Sequence, residues 1–207
     1  MSQAAPLAAN EHDRLSALRD LLVLDSGPEP IFDSIARMAA EICGTPFALI
    51  GLIDEERQWF KANVGLHGVS ETPRSIAFCA HAILGDAVFV VPDATLDCRF
   101  ADNPLVTASP DIRFYAGAPL VMTGGERIGT LCVIDRQARS LTDAQLQMLD
   151  SLATVASDAL QMRRDLINKS LSIRSEFERS LSQSESHYRA IVEIGRASCR
   201  ERVLASV

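Results

Sequence analysis

The sequence predicts an α+β domain: a central antiparallel sheet flanked by helices, continued by a long C-terminal helix. Three observations predict it. Two pairs of apolar, β-rich runs are each joined by a polar turn, the pattern of hairpins. Runs with apolar residues at helical spacing precede, separate and follow them. From Thr142 onward the apolar residues alternate at three and four without a breaker, which reads as an extended helix. Elements with one apolar face each must bury it on one another, and helices on an antiparallel sheet are one of the few layered solutions.

Taken in order, Leu15, Leu18, Leu21 and Leu22 recur at helical spacing before the breaker Ser26-Gly27-Pro28-Glu29-Pro30. A second helix opens at Ile31-Phe32-Asp33, places Ile35, Met38, Ala39 and Ile42 on its apolar face, and closes at Cys43-Gly44-Thr45-Pro46, with glycine as the cap. Residues 47–53 are a buried strand, 54–57 a polar turn and 58–64 the returning arm of a hairpin. Helix signals return over Ile76 to Leu84. Val88-Phe89-Val90-Val91 is a short strand ended by Pro92, and the polar stretch from Asp93 to Pro110 is long enough to suggest function. Residues 112–122 and 127–135 form a second hairpin, turned at Thr123-Gly124-Gly125-Glu126. In the exit helix Leu146, Leu149, Ala153, Ala156 and Leu160 make a stripe that extends toward Ile167, with Arg163 at a seam position. A parallel partner helix is the expected cover for that stripe, and folding back on its own domain is the alternative.

The chain has 207 residues, 47% hydrophobic and 23% charged, which suits one soluble domain plus an extension. Nothing at the N-terminus has the form of an export signal, and no apolar run reaches the roughly 18 residues of a membrane span. Five cysteines scattered without a C-x-x-C pair point to reduced thiols, so a cytoplasmic location is expected. Cys43 and Cys132 lie in apolar runs and read as small core residues. Residues 163–207 carry 9 Lys and Arg against 6 Asp and Glu, a net of +3, whereas residues 1–162 carry 11 against 21, a net of −10. A body this acidic repels phosphate backbones, which argues against nucleic acid as a partner.

The chain resembles a known family through a series of motifs in order: Phe32-Asp33, Trp59-Phe60-Lys61, Phe78-Cys79-Ala80-His81-Ala82-Ile83, residues 97–106 (DCRFADNPLV), residues 112–120 (IRFYAGAPL) and residues 129–135 (GTLCVID). It is similar to the GAF domains that stand at the N-terminus of bacterial sensor histidine kinases and diguanylate cyclases. The resemblance covers residues 15–165, after a flexible N-terminus of residues 1–14. It implies a ligand pocket between the sheet and the loop-helix segments at residues 75–110. Two positions depart from the family pattern: Ala77 stands where serine is frequent, and Cys98 where proline is. Residues 166–183 are expected to be a linker or coiled-coil helix, and 184–192 resemble the truncated start of a PAS domain. Residues 193–207, through Glu193 to Val203, resemble the translated read-through of a sequencing adapter and are expected to carry no biology.

The candidate ligand-binding residues are Phe78, Cys79, His81, Asp97, Arg99, Phe100, Asn103, Arg113 and Tyr115. No residue is assigned a catalytic or metal-ligating role. Cys79 and His81, two apart on a helix, point well away from each other, so they are either structural or line a pocket singly. Asp97 and Asp102 are expected to pair with Arg99 and cap turns. Arg99 and Arg113 either fix the loop or offer forked donors to a carboxylate or phosphate, with Phe78, Phe100 and Tyr115 as apolar walls. Trp59 is expected to pack a strand face. Gly65-Leu66-His67-Gly68 and Gly124-Gly125 lack the spacing of phosphate-binding loops.

The function expected is a regulatory sensor: a small ligand or a redox event in the pocket shifts a dimeric exit helix that biases an output domain. The cofactor is left unassigned, with a cyclic nucleotide, a tetrapyrrole, a small acid or none all compatible with the residues. Two alternatives stand beside it. One is a ligand-free dimerisation spacer. The other is a thiol-dependent enzyme of the GAF lineage that reduces free methionine sulfoxide, using Cys79, Cys98 and Cys132. The chain carries no autophosphorylation motif and is not expected to be an enzyme itself, its parent being a sensor kinase or diguanylate cyclase.

Overall fold

The computed structural model describes residues 3–204, with side chains described over residues 3–185 and at Tyr188 and Arg189. The chain divides into two compact units, with the boundary between Arg164 and Asp165. The first holds a six-stranded antiparallel sheet of β1 (Phe47–Ile53), β2 (Arg57–Val64), β3 (Glu71–Pro73), β4 (Phe89–Val91), β5 (Phe114–Val121) and β6 (Arg127–Asp135), in the order β3-β2-β1-β6-β5-β4. The helices are α1 (Glu11–Asp20), α2 (Pro30–Cys43), α3 (Phe78–Ala82), α4 (Pro104–Thr107) and α5 (Asp143–Leu204). The α+β architecture expected from the sequence is the one observed.

The alternation of the strands separates two cores. Ala48, Ile50 and Leu52 of β1, Phe114, Ala116, Ala118 and Leu120 of β5, and Leu131 and Val133 of β6 face α2 and the first turns of α5. Their neighbours Leu49, Ile53, Tyr115, Cys132 and Ile134 face the other way, toward α3 and the loop that follows it. A register shift between Ile50 and Gly51 lets Trp59 and Ala62 of β2 both point into the first core, with Phe60 in the second. Trp59 thus packs a strand face, as its single occurrence in a hairpin suggested.

Pro30 in the first turn and Gly44, at φ +63°, bound α2. Its buried face is Phe32, Ile35, Ala36, Ala39, Ala40 and Cys43, whereas Met38 and Ile42, expected to be buried, are exposed. The small alanines allow the helix to lie close on the sheet, so the true stripe is rotated from the one that bulk alone selected. The helix anticipated over Ile76 to Leu84 is shorter, a 3-10 turn at Arg74–Ile76 followed by α3. The loop after β4 contains α4, with Pro104 at its first turn and the Asn103 side chain accepting from the Leu105 amide.

α5 buries Leu149, Leu152, Ala153, Ala156 and Leu160 in the first core. This part of the stripe is covered by the domain's own sheet, and Ser157 accepts a hydrogen bond from the Val121 amide of β5 at 3.1 Å. Arg163, at a seam position in the sequence pattern, is docked on its own domain. Its Nε donates to Glu29 at 2.8 Å and its Nη1 to the carbonyls of Leu21 and Leu22 at 2.8 and 3.0 Å. Glu29 also takes Lys61 at 2.7 Å, and the Lys61 side chain is fully buried.

In the second unit α5 is the only element among the described residues, and Leu166, Leu171, Ile173, Phe177, Leu181 and Tyr188 each expose more than half of their surface. The side chains of most of the PAS-like stretch 184–192 and of all the adapter-like residues 193–207 lie outside the described residues.

Candidate functional site

A cavity of about 410 Å³ lies on the sheet face opposite α2 and α5. Its sheet wall is Leu49 of β1, Gln58 and Phe60 of β2, Tyr115 of β5 and Ile134 of β6. Phe78 and Cys79 of α3 wall a second side, and Leu105, Ser109, Pro110 and Ile112 of the following loop a third. The segment after β2 supplies Leu66, His67, Val69 and Thr72. Arg136 belongs to the lining, its guanidinium 5.1 Å from the centre of the Phe47 ring and its Nε bonded to the Pro110 carbonyl at 2.9 Å. The lining is mainly apolar with a few convergent polar groups, the usual character of a small-molecule site.

The polar groups of the sheet wall gather at one point. Cys79 Sγ accepts from Gln58 Nε2 and from the Tyr115 hydroxyl, each at 3.2 Å, and lies 3.8 Å from Cys132 Sγ. Tyr115 is also 3.5 Å from the Thr130 hydroxyl. Two glycines give this cluster its room. A Cβ at Gly51 would come within 2.6 Å of the Gln58 amide nitrogen, and one at Gly117 would collide with the Tyr115 hydroxyl. Burial pushes the Cys79 thiol up, but hydrogen bonds from Cys132, Thr130, Tyr115 and Gln58 outweigh it and hold it below the ordinary thiol range. Cys132 is held the other way. Its contact with Cys79 and its burial together push it well up, and burial does the same to Tyr115.

Of the nine candidate residues, Phe78, Cys79 and Tyr115 line the cavity and the other six do not. Phe100 backs the wall, stacked on Phe78 with ring centres 4.0 Å apart. Arg99 forms an ion pair with Asp97 at 2.6 Å and lies over the rings of Phe89 and Phe100. Burial brings His81 below its ordinary value, while its Nε2 meets the Gln3 carbonyl at 3.0 Å. Asn103 donates to the Ile76 carbonyl at 3.0 Å, and Arg113 holds the Val106 carbonyl and the Asp111 carboxylate at 2.9 and 2.7 Å. These six residues shape the loop around the cavity. Cys79 and His81 diverge, as their spacing required.

Sequence reasoning passed over Gln58, Thr72 and Arg136, and named Cys132 only as a core residue or as one of three cysteines in the thiol-enzyme alternative. Gln58 had a signal, since it stands in phase with Phe60 on a face that the hairpin makes apolar. Nothing in its spacing set Cys132 opposite Cys79, because a cysteine in an apolar run looks like any small core residue. Among the described residues, no three His, Cys, Asp or Glu side chains gather as a metal site, and no helix is long and apolar enough to cross a membrane.

Residues 27–160 match the family described as GAF domain. The chain belongs to the GAF domain family. This GAF domain is a regulatory sensory module, and its relatives fit signal transduction. It is 47% identical over 149 residues to a cyclic di-GMP phosphodiesterase of Pseudomonas aeruginosa, an overlap of 72% of this chain and 25% of that protein. The chain therefore spans about a quarter of that relative's length. Solved GAF domains share the fold. That of an Acinetobacter phosphoenolpyruvate-protein phosphotransferase aligns with a TM-score of 0.55 at 19% identity, over 75% of this chain and 95% of its own. The blue-light absorbing form of the Thermosynechococcus elongatus PixJ GAF domain aligns with a TM-score of 0.56 at 16% identity, over 77% and 96%.

Proposed function

We propose that this GAF domain is the cytoplasmic input module of a longer signalling protein, that a small and largely apolar ligand occupies the 410 Å³ cavity, and that occupancy is passed on through α5. One observation carries the reading: the cavity and the docked turns of α5 lie on opposite faces of the same strands. Tyr115 of β5 lines the cavity, while its neighbours Phe114 and Ala116 pack in the core that holds Leu149, Ala153 and Ala156. A ligand that favours one position of β5 thereby favours one position of the helix, which is what a binding signal needs to shift a two-state equilibrium. Glu29 and Arg163 fix the last docked turn.

Beyond that turn the exposed apolar residues of the second unit support a dimer of parallel helices as the outgoing path. The output domain proposed for the parent is an enzyme of signalling, a kinase, a cyclase or, by analogy with the Pseudomonas aeruginosa relative, a cyclic di-GMP phosphodiesterase. The PAS-like start at residues 184–192 supports an intervening module.

Native mass spectrometry of the full chain, purified from a bacterial host, tests the reading. The expected result is a dimer with additional small-molecule mass, and loss of that mass in Leu66→Trp, which fills the cavity rim. A dimer without retained mass favours the spacer, and a monomer removes the outgoing path.

A further inference from the structure

We propose that Cys79 and Cys132 form a peroxide-reactive thiol pair, in which Cys79 meets a small hydroperoxide in the cavity and Cys132 resolves the product into a disulfide. The inference goes beyond the ligand reading and stands or falls without it, because it concerns chemistry at the sheet wall whether or not another molecule is sensed there.

Three features of the geometry carry it. The first is proximity. The two sulfurs are 3.8 Å apart although the residues are 53 positions apart in sequence. The second is a division of access. Both thiols are buried, at 2% and 0% exposure, but Cys79 is part of the cavity lining, whereas Cys132 lies behind it on β6. A reagent entering the cavity meets Cys79 first, and the sulfur that it modifies is then next to Cys132. The third is the set of donors. The Gln58 amide and the Tyr115 hydroxyl both point hydrogens at Cys79 Sγ, which stabilises a thiolate there and not on Cys132. The other described thiols lack this arrangement: Cys98 is exposed on the loop, and Cys43 is buried in the core on the opposite face of the sheet.

The chemistry balances with a hydroperoxide as the oxidant. Cys79 sulfur attacks the terminal oxygen, the O–O bond breaks, and the thiol proton ends on the departing oxygen as water or an alcohol. This leaves a sulfenic acid on Cys79. Cys132 sulfur then attacks the Cys79 sulfur, the S–O bond breaks, and the proton of Cys132 leaves with the hydroxyl as water. Two thiols are oxidised to one disulfide and one peroxide is reduced. The sulfurs close from 3.8 Å to about 2.05 Å, which draws α3 toward the centre of the sheet and moves one wall of the cavity.

The test uses the full chain with Cys98→Ser and Cys199→Ser, so that intermolecular disulfides do not form. The chain is reduced, freed of reductant and treated with hydrogen peroxide without denaturant. The expected result is a mass loss of two hydrogen atoms and a Cys79 peptide linked to the Cys132 peptide. Adding Cys132→Ser should leave a Cys79 sulfenic acid that dimedone traps, and adding Cys79→Ser should abolish both products. The proposal is overturned if both thiols stay alkylatable after unfolding of the peroxide-treated chain, or if the linkage forms only when peroxide is added in denaturant. The peptide map of the Cys98→Ser, Cys199→Ser chain decides the matter even where a core cysteine variant does not fold.

Discussion

The hydroxyl of Tyr115 lies where a side chain at Gly117 would begin, two residues along the same strand. The ring has nowhere else to go, being packed between Phe78 at 5.3 Å and Phe89 at 6.0 Å and almost wholly buried. Gly117→Ala therefore forces the ring or the strand to shift. We expect a loss of about 1–3 kcal/mol in urea unfolding, the usual cost of overpacking, together with weaker retention of any cavity ligand.

Tyr115→Phe keeps the ring and removes only the donor to Cys79. A stability loss of about 1 kcal/mol is expected from the missing hydrogen bond. The sharper readout is reactivity. Because the Tyr115 hydroxyl, beside Cys132 and Thr130, helps to lower the Cys79 thiol, its removal should slow alkylation of Cys79 at neutral pH and move the pH profile of that reaction upward. An unchanged profile would mean that the hydroxyl does not act on the thiol.

Glu11 predicts an acid-sensitive domain. Its carboxylate accepts from Arg14 at 2.5 and 3.0 Å and from Arg74 at 2.7 Å, and Arg14 is fully buried against the Ile53 carbonyl. Partial burial raises the carboxyl, but the two guanidiniums outweigh this and bring it from 4.5 down to about 2. The unfolded chain therefore binds the proton first as pH falls. The stabilisation is complete above about pH 4.5 and is lost progressively toward pH 2. Glu11→Gln should lower stability at pH 7 by about 2–4 kcal/mol, since it leaves a buried cation under-compensated. Urea melts between pH 3 and 7 should show a shallower acid slope for the variant than for the parent.

Arg163→Ala tests the latch between α5 and the α1–α2 connection. It removes the contacts to Glu29, Leu21 and Leu22 but leaves the apolar stripe through Leu160 in place. Amide exchange should speed up by about tenfold over residues 160–164, with little change at Leu149 to Ala156. A uniform change along the helix would instead indicate loss of docking as a whole.

The hairpins were legible because strand alternation and polar turns are local signals. β3 was not. It is a short, mostly exposed edge strand ending in Pro73, with no apolar face to announce it. The stripe on α5 was legible as a stripe, but three-four spacing does not specify its cover. Its first half packs on the sheet of its own domain. For the site, Phe78 and Tyr115 could be found as aromatics in a loop-rich region. His81, Arg99 and Arg113 attracted attention by their chemistry, yet their hydrogen bonds go to the backbone and to acids nearby. Cys132 and Gln58 matter through what lies opposite them across the fold, which spacing along the chain does not encode.

The two walls of the cavity differ in how freely they can be rebuilt. On the sheet side each strand is committed twice, since Leu49 and Tyr115 alternate with Ala48, Ile50, Phe114 and Ala116, which pack in the core that seats α2 and α5. On the loop side Leu105 of α4, Ser109, Pro110 and Ile112 belong to the connection between β4 and β5 and not to the strands that seat α2 and α5. Selection or engineering for a new ligand would therefore find its tolerated substitutions at Leu105 and Ser109, while Val106 and Ile112 stay committed to the second core. In the proposed relay the strands would stay unchanged, so that chemical specificity and signal output could be altered one at a time.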